Sequence, residues 1–107
     1  MSDSEKIKSL LGFANKAGKL AIGRTALKNA HKEKRLYLVL ISDDASSKLL
    51  DFASVAPAYR FSTTSELGRL VGREKVAIAG ICDAQFASAI KKHLSPQTRI
   101  DPSSNDA

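Results

Sequence analysis

Leu36-Tyr37-Leu38-Val39-Leu40-Ile41 is preceded by Lys34-Arg35 and followed at once by Ser42-Asp43-Asp44. A run of apolar side chains with no polar alternation leaves no face for water. It predicts a strand buried on both sides, and such strands occur where helices cover both faces of a sheet. The rest of the chain is read as the elements that provide this cover.

Upstream, Ser2 or Ser4 can cap a first helix in which Ile7, Leu10, Leu11 and Ala14 recur at helical spacing. Ala17-Gly18 stops it, since glycine takes the left-handed cap conformation without strain. Lys19 to Ile22 is a short strand, and Gly23 breaks into a second helix, Arg24 to Lys34, with Ala26, Leu27 and Ala30 toward the core. Downstream, Asp43 or Asp44 is expected to cap a third helix from about Ala45. Its apolar side is Leu49, Leu50, Phe52 and Ala53, and Pro57 ends it. Tyr59-Arg60-Phe61 is a strand, Ser65 to Val71 a short helix closed by Gly72, and Val76 to Ile81 the last strand. Asp83 caps a final helix reaching about Leu94. From Ser95 the chain is polar, with Pro96 and Pro102, and is expected to be a disordered tail. The sum is one α/β domain over residues 1–94, about four strands with helices on both faces, and a tail over 95–107.

The chain has 107 residues, enough for a single core without staples, and a formal net charge of +6. The charge is not spread evenly. Residues 6–35 hold nine of the seventeen Lys and Arg against one acid, Glu33, while residues 36–107 carry eight basic and eight acidic side chains. Solubility needs charge but not its segregation, so a field of one sign points to an anionic partner, nucleic acid or a charged surface. No apolar run approaches the roughly 20 residues that cross a bilayer. The acidic start Ser2-Asp3-Ser4-Glu5 lacks the apolar core of a signal peptide, and the lone Cys82 cannot form an internal disulfide. A cytoplasmic protein with no membrane partner is expected.

No constellation supports catalysis. His31 and His93 lie near no cysteine or acid pair at metal-ligand spacing, and one cysteine cannot make a paired zinc site. Gly18-Lys19-Leu20-Ala21-Ile22-Gly23-Arg24 lacks the Gly-Lys-Ser/Thr ending of a phosphate-binding loop. Asp43-Asp44 is explained by helix capping, and Cys82 by burial at a strand end. No catalytic residue, metal ligand or cofactor is therefore assigned, and the protein is read as a non-enzyme.

The second helix is more informative. Arg24, Lys28, Lys32 and Arg35 are spaced four, four and three, one stripe along its exposed side. Gly23 lets a phosphate backbone approach the helix start, where unpaired amides carry partial positive charge. A second basic group, Arg69, Arg73 and Lys75, flanks the Gly72 turn. If that loop lies at the same end of the sheet as Gly23, the two form one basic cleft; if not, they are ordinary loop charges. The aromatics fall mostly at core positions, so a platform for stacking unpaired bases is not evident.

Leu10-Leu11-Gly12-Phe13-Ala14-Asn15-Lys16-Ala17-Gly18-Lys19-Leu20, then Gly23, then Leu38 to Ser46, Glu66 to Glu74 and the Val76 to Ile81 strand keep one order and spacing. In these residues the chain resembles the kink-turn-binding ribosomal-protein group, L-seven-Ae / L-thirty-e, and its bacterial YlxQ-like branch. The resemblance covers roughly residues 5–94. It implies a three-layer α/β/α sandwich with a mixed sheet, binding structured RNA, ribosomal or another kink-turn-like RNA, in translation or ribosome assembly, with ribosome-associated proteins as further partners. It implies that Gly23, Arg24, Thr25, Lys28, Asn29 and Lys32 of the glycine-opened helix, with Arg73, Glu74, Lys75 and Val76 of the later loop, contact RNA. The family motif carries Asn or Lys two residues after the glycine, Glu or Gln at three and Lys at six; here these are Thr25, Ala26 and Asn29. Ala26 cannot accept from a guanine edge, so altered discrimination is expected. The alternative is a protein-interaction adaptor on the same fold that has lost specific RNA reading.

Overall fold

In the computed structural model, which describes residues 2–100, the apolar run forms strand β2, Leu38–Ile41, with all four residues buried. Alternation along the strand sends Leu38 and Leu40 into one core and Val39 and Ile41 into the other. The other strands are β1 (Leu20–Ile22), β3 (Ala58–Arg60), β4 (Ile78–Ile81) and β5 (Arg99–Ile100), in the order β1-β4-β2-β3-β5. β2 and β3 are parallel and the other pairs antiparallel, so the sheet is mixed.

Helices α1 (Asp3–Lys16), α3 (Thr64–Leu70) and α4 (Ala84–Lys91) bury Leu11, Leu67 and Ile90 on the Leu38–Leu40 face. Helix α2 (Gly23–Lys32) and a 3-10 helix, Ser47–Ser54, bury Leu27, Ala30 and Leu49 on the Val39–Ile41 face. The expected three-layer α/β/α sandwich is the observed fold. Each fully buried Leu contributes about 1.5–3 kcal/mol relative to exposure, so both cores hold the central strand.

Local chemistry sets the ends. The backbone N–H of Glu5 donates to Ser2 Oγ at the start of α1, and that of Phe86 donates to Asp83 Oδ1 at the start of α4. Helices α1 and α2 close with the same pair of bonds. Lys19 N–H reaches Ala14 C=O and Gly18 N–H reaches Asn15 C=O, while Arg35 N–H reaches Ala30 C=O and Lys34 N–H reaches His31 C=O. The motif needs a left-handed residue. At α1 it is Gly18, φ 70°, but at α2 it is Lys34, φ 59°. Helix α2 therefore stops at Lys32, short of the expected Lys34, and Arg35 lies beyond it.

Four expectations are corrected. Among the described residues the sheet has five strands, not about four. Residues expected in the tail form a 3-10 turn, Pro96–Thr98, and β5, where Ile100 is buried against β3; the remainder of that tail, 101–107, lies outside the described residues. The helix after β2 is a 3-10 helix capped by Ser46, not by Asp43 or Asp44. Asp44 instead accepts from Thr64 N–H at 2.9 Å and Thr64 Oγ1 at 3.1 Å, tying the turn after β2 to the start of α3. Lastly, Tyr37, part of the run expected to be buried, lies outside β2 and is 47% exposed; Phe13 is the other exposed aromatic, at 61%.

Candidate nucleic-acid interface

Strand register decides which loops meet. Ile22 pairs with Ala79 and Ile41 with Ile78, so the C-terminal ends of β1 and β2 meet the N-terminal end of β4. Gly23, the Ser42–Ser46 turn and the loop before β4 therefore share one end of the sheet. The Gly23 and Arg73 elements are thus neighbours, which composition left undecided.

Helix α2 forms the first wall of a cleft there. It begins at Gly23, whose φ of 87° no L side chain adopts comfortably. It is seated over β4 at Gly80, where a Cβ would lie 2.8 Å from Leu27 Cδ1 and closer still to Leu36 Cδ1. The cap residue is Ile22, with no side-chain hydrogen bond, whereas Ser2, Thr63 and Asp83 cap α1, α3 and α4. The first-turn amides of α2 are thus left with positive potential and no side-chain acceptor.

The cleft is open, with a volume of about 530 Å³, inside the usual range of roughly 300–1,000 Å³ for ligand-holding sites. Ile22, Leu49, Val76, Ala77 and Ile78 supply its apolar floor. Arg24, Lys48, Arg73 and Lys75 line it as cations, and among the described residues no carboxylate does. This apolar floor ringed by positive charge suits a ligand that is flat and apolar at its centre and anionic at its edge.

The second wall is the α3–β4 loop. Gly72, φ 73°, turns it. Arg73 N–H donates to Gly68 C=O at 2.7 Å, and Val76 N–H to Thr64 C=O at 2.9 Å. Both anchors are backbone atoms of α3, so the loop carrying Arg73 and Lys75 is fixed at both ends.

Of the ten residues expected at an RNA surface, Gly23, Arg24, Arg73, Lys75 and Val76 line this cleft. Thr25, Lys28, Asn29 and Lys32 are exposed on α2. At about 1.5 Å per residue, Lys28 sits roughly 6 Å and Lys32 roughly 12 Å down the axis from Arg24. Glu74 is exposed between the loop's two cations without lining the cleft. Arg35 leaves the stripe to pair with Glu33 beyond the helix end, which raises the pKa of its guanidinium. Arg69 pairs with Glu66, which also meets Lys8. The Lys8 hydrogen bond first, and then the Arg69 charge, hold the Glu66 carboxyl below its ordinary range.

Lys48 and Ser46 are cleft residues that the sequence reading missed. Lys48 sits in a segment read for its caps and apolar side, and only the β2–β4 pairing brings it opposite Gly23. A strand end followed by a loop bearing a lone cation was the available signal, because ligands collect where such loops converge.

Outside the cleft, His93 Nδ1 lies 3.0 Å from Asp3 Oδ1, joining the ends of α1 and α4, and His31 is exposed. Burial pushes the Cys82 thiol pKa up, away from the reactive thiolate. Among the described residues no three His, Cys, Asp or Glu cluster to hold a metal, and no helix is long and apolar enough to cross a membrane.

No family model matches the chain. Individual relatives do. The RNA-binding protein YlxQ of Bacillus subtilis (strain 168) is 31% identical over 87 residues, an alignment covering 76% of this chain and 87% of the relative. A solved structure of a protein of unknown function from Bacillus halodurans C superposes with a TM-score of 0.74 at 31% identity, covering 82% of this chain and 95% of the other. The 15.5 kD RNA-binding protein of Giardia lamblia gives a TM-score of 0.66 at 15% identity over 85% of this chain and 83% of the other, a likeness of fold alone. With that sequence match the chain belongs to the YlxQ family, and its sandwich has the L-seven-Ae-like fold.

Proposed function

We propose that this protein is a non-catalytic binder of structured RNA, taking a kinked or bulged element of the kink-turn kind in the cleft at the Gly23 end of the sheet. The observation that carries this reading is one cleft joining four cations, the uncapped start of α2 and an apolar floor, with no carboxylate lining it among the described residues. An unpaired base can rest on the floor while phosphates on either side meet the cations and first-turn amides. The Lys28 and Lys32 stripe extends the same field down α2, where it meets backbone rather than base edges and so positions without specifying. Thr25 and Asn29 offer hydrogen bonds beside it, and Ala26 offers none. A cytoplasmic role in translation or ribosome assembly, on ribosomal RNA, is the setting that fits a small basic member of this family. Against a protein-interaction adaptor, four cations that make no salt bridge among the described residues, set around an uncapped helix, favour a phosphate-bearing partner.

Titrating the full chain with labelled kink-turn RNA and with an uninterrupted duplex of equal length tests this. The kink-turn is expected to bind tighter, with log K falling against log salt by about 3 from the four cleft cations, at ~0.7–0.9 each. Absence of binding at low salt by both the kink-turn and total ribosomal RNA overturns the reading.

A further inference from the structure

Gly68 lies in the middle of α3, is buried, and does not line the cleft. A glycine weakens a helix relative to alanine, so its place here calls for another physical reason. The backbone supplies one. A Cβ at Gly68 would stand 2.7 Å from the carbonyl oxygen of Glu74 and 2.8 Å from that of Arg73. Both distances are shorter than real Cβ atoms show, and the obstructing atoms are main chain, which cannot rotate aside. The α3–β4 loop is in contact with the helix at the one point where α3 has no side chain.

Two bonds convert that contact into a position. Arg73 N–H donates to the carbonyl of Gly68 itself, and Val76 N–H to that of Thr64. Asn15 Nδ2 of α1 reaches the carbonyl of Val71, just ahead of the Gly72 turn, at 3.4 Å. Between these anchors stand Arg73, Glu74 and Lys75, all exposed. Moving the loop outward by the several tenths of an ångström that a methyl group demands would shift both cleft cations together.

We infer that Gly68 is a positioning residue for RNA affinity: its missing side chain seats the loop so that Arg73 and Lys75 face α2 across the cleft. This rests on the RNA reading above and adds a residue that itself contacts no ligand. The alternative role, purely structural, would lower stability and leave the loop and its cations where they are.

The test combines amide hydrogen exchange with a binding cycle on the full chain. Gly68→Ala is expected to keep the native circular dichroism and to speed exchange at the Arg73 and Val76 amides. It is also expected to weaken kink-turn RNA binding about tenfold and reduce the salt slope by about 2, the share of two cations. Adding Arg73→Ala and Lys75→Ala to Gly68→Ala should cost nothing further, because the same contacts are already lost. Asn15→Ala, a milder release of the same loop in a chain that keeps its core, should act in the same direction with a smaller loss, which keeps the idea testable if Gly68→Ala fails to fold. Unchanged exchange at Arg73 and Val76 in the folded Gly68→Ala chain overturns the inference, as does a loss that multiplies with that of the Arg73→Ala, Lys75→Ala pair. If that pair alone leaves binding untouched, the RNA reading of this wall fails instead, and the exchange measurement still reports on Gly68.

Discussion

The two walls of the cleft are built on the same device and differ in what a side chain there would meet. Each begins at a left-handed glycine, Gly23 for α2 and Gly72 for the loop, and each is seated where a side chain is missing, Gly80 beneath α2 and Gly68 beneath the loop. At Gly80 the neighbours are the ends of the Leu27 and Leu36 side chains, which can shift by a rotamer adjustment. At Gly68 they are backbone carbonyls, which can move only with the loop. A side chain added at Gly80 would thus be met by side chains, whereas one added at Gly68 would have to displace the loop wall itself.

Removing both walls' charge breaks the comparison most severely. With Arg24, Lys48, Arg73 and Lys75 all changed to Ala, the slope of log K against log salt should fall by about 3. Affinity at low salt should drop about a hundredfold or more, read by filter binding or anisotropy. If the loss comes from Arg24 and Lys48 alone, the loop wall is not part of the site. Next in size is Gly23→Val, which forces a β-branched residue to φ 87°; backbone strain of about 1–3 kcal/mol should appear as lost stability in urea titration. Gly80→Ala should come third, destabilising by about 1–3 kcal/mol through overpacking while leaving the salt slope unchanged, the opposite balance to Gly68→Ala. Arg35→Ala should leave RNA binding unaltered, since Arg35 is turned to Glu33 beyond the end of α2.

A smaller effect on stability is pH-dependent. Bonds from Thr64, the backbone N–H first, hold the Asp44 carboxyl below its ordinary range. Its folded pKa is depressed, so its contribution is complete above the unfolded value of about 3.9 and fades as pH falls through the lower folded value. Asp44→Ala should flatten the acid limb of stability in that window and loosen the start of α3. An unchanged acid limb would show that the tie between β2's turn and α3 carries no weight.

The central strand was legible because six apolar residues in succession admit few other readings, and the helices on either side followed from their period. Asp83 and Gly18 took their expected capping roles because capping depends on local geometry. Tyr37 was misplaced because apolar character predicts burial only where a neighbour arrives to cover it. Ile100 was missed for the converse reason: the tail's polar composition concealed a pairing with β3 that no local pattern encodes.

The sequence by itself determined the layered α/β class, the glycine opening α2 and the excess of positive charge in the first third, because these are set by period, local backbone geometry and composition. Tertiary structure decided that Lys48, Arg73 and Lys75 join Arg24 and that Arg35 and Arg69 do not. Strand register and competing carboxylates, Glu33 and Glu66, settle which cations face one another, and neither is visible along the chain. The charge was written in one place, and the pairing of β4 with β1 and β2 gave it an opposite wall.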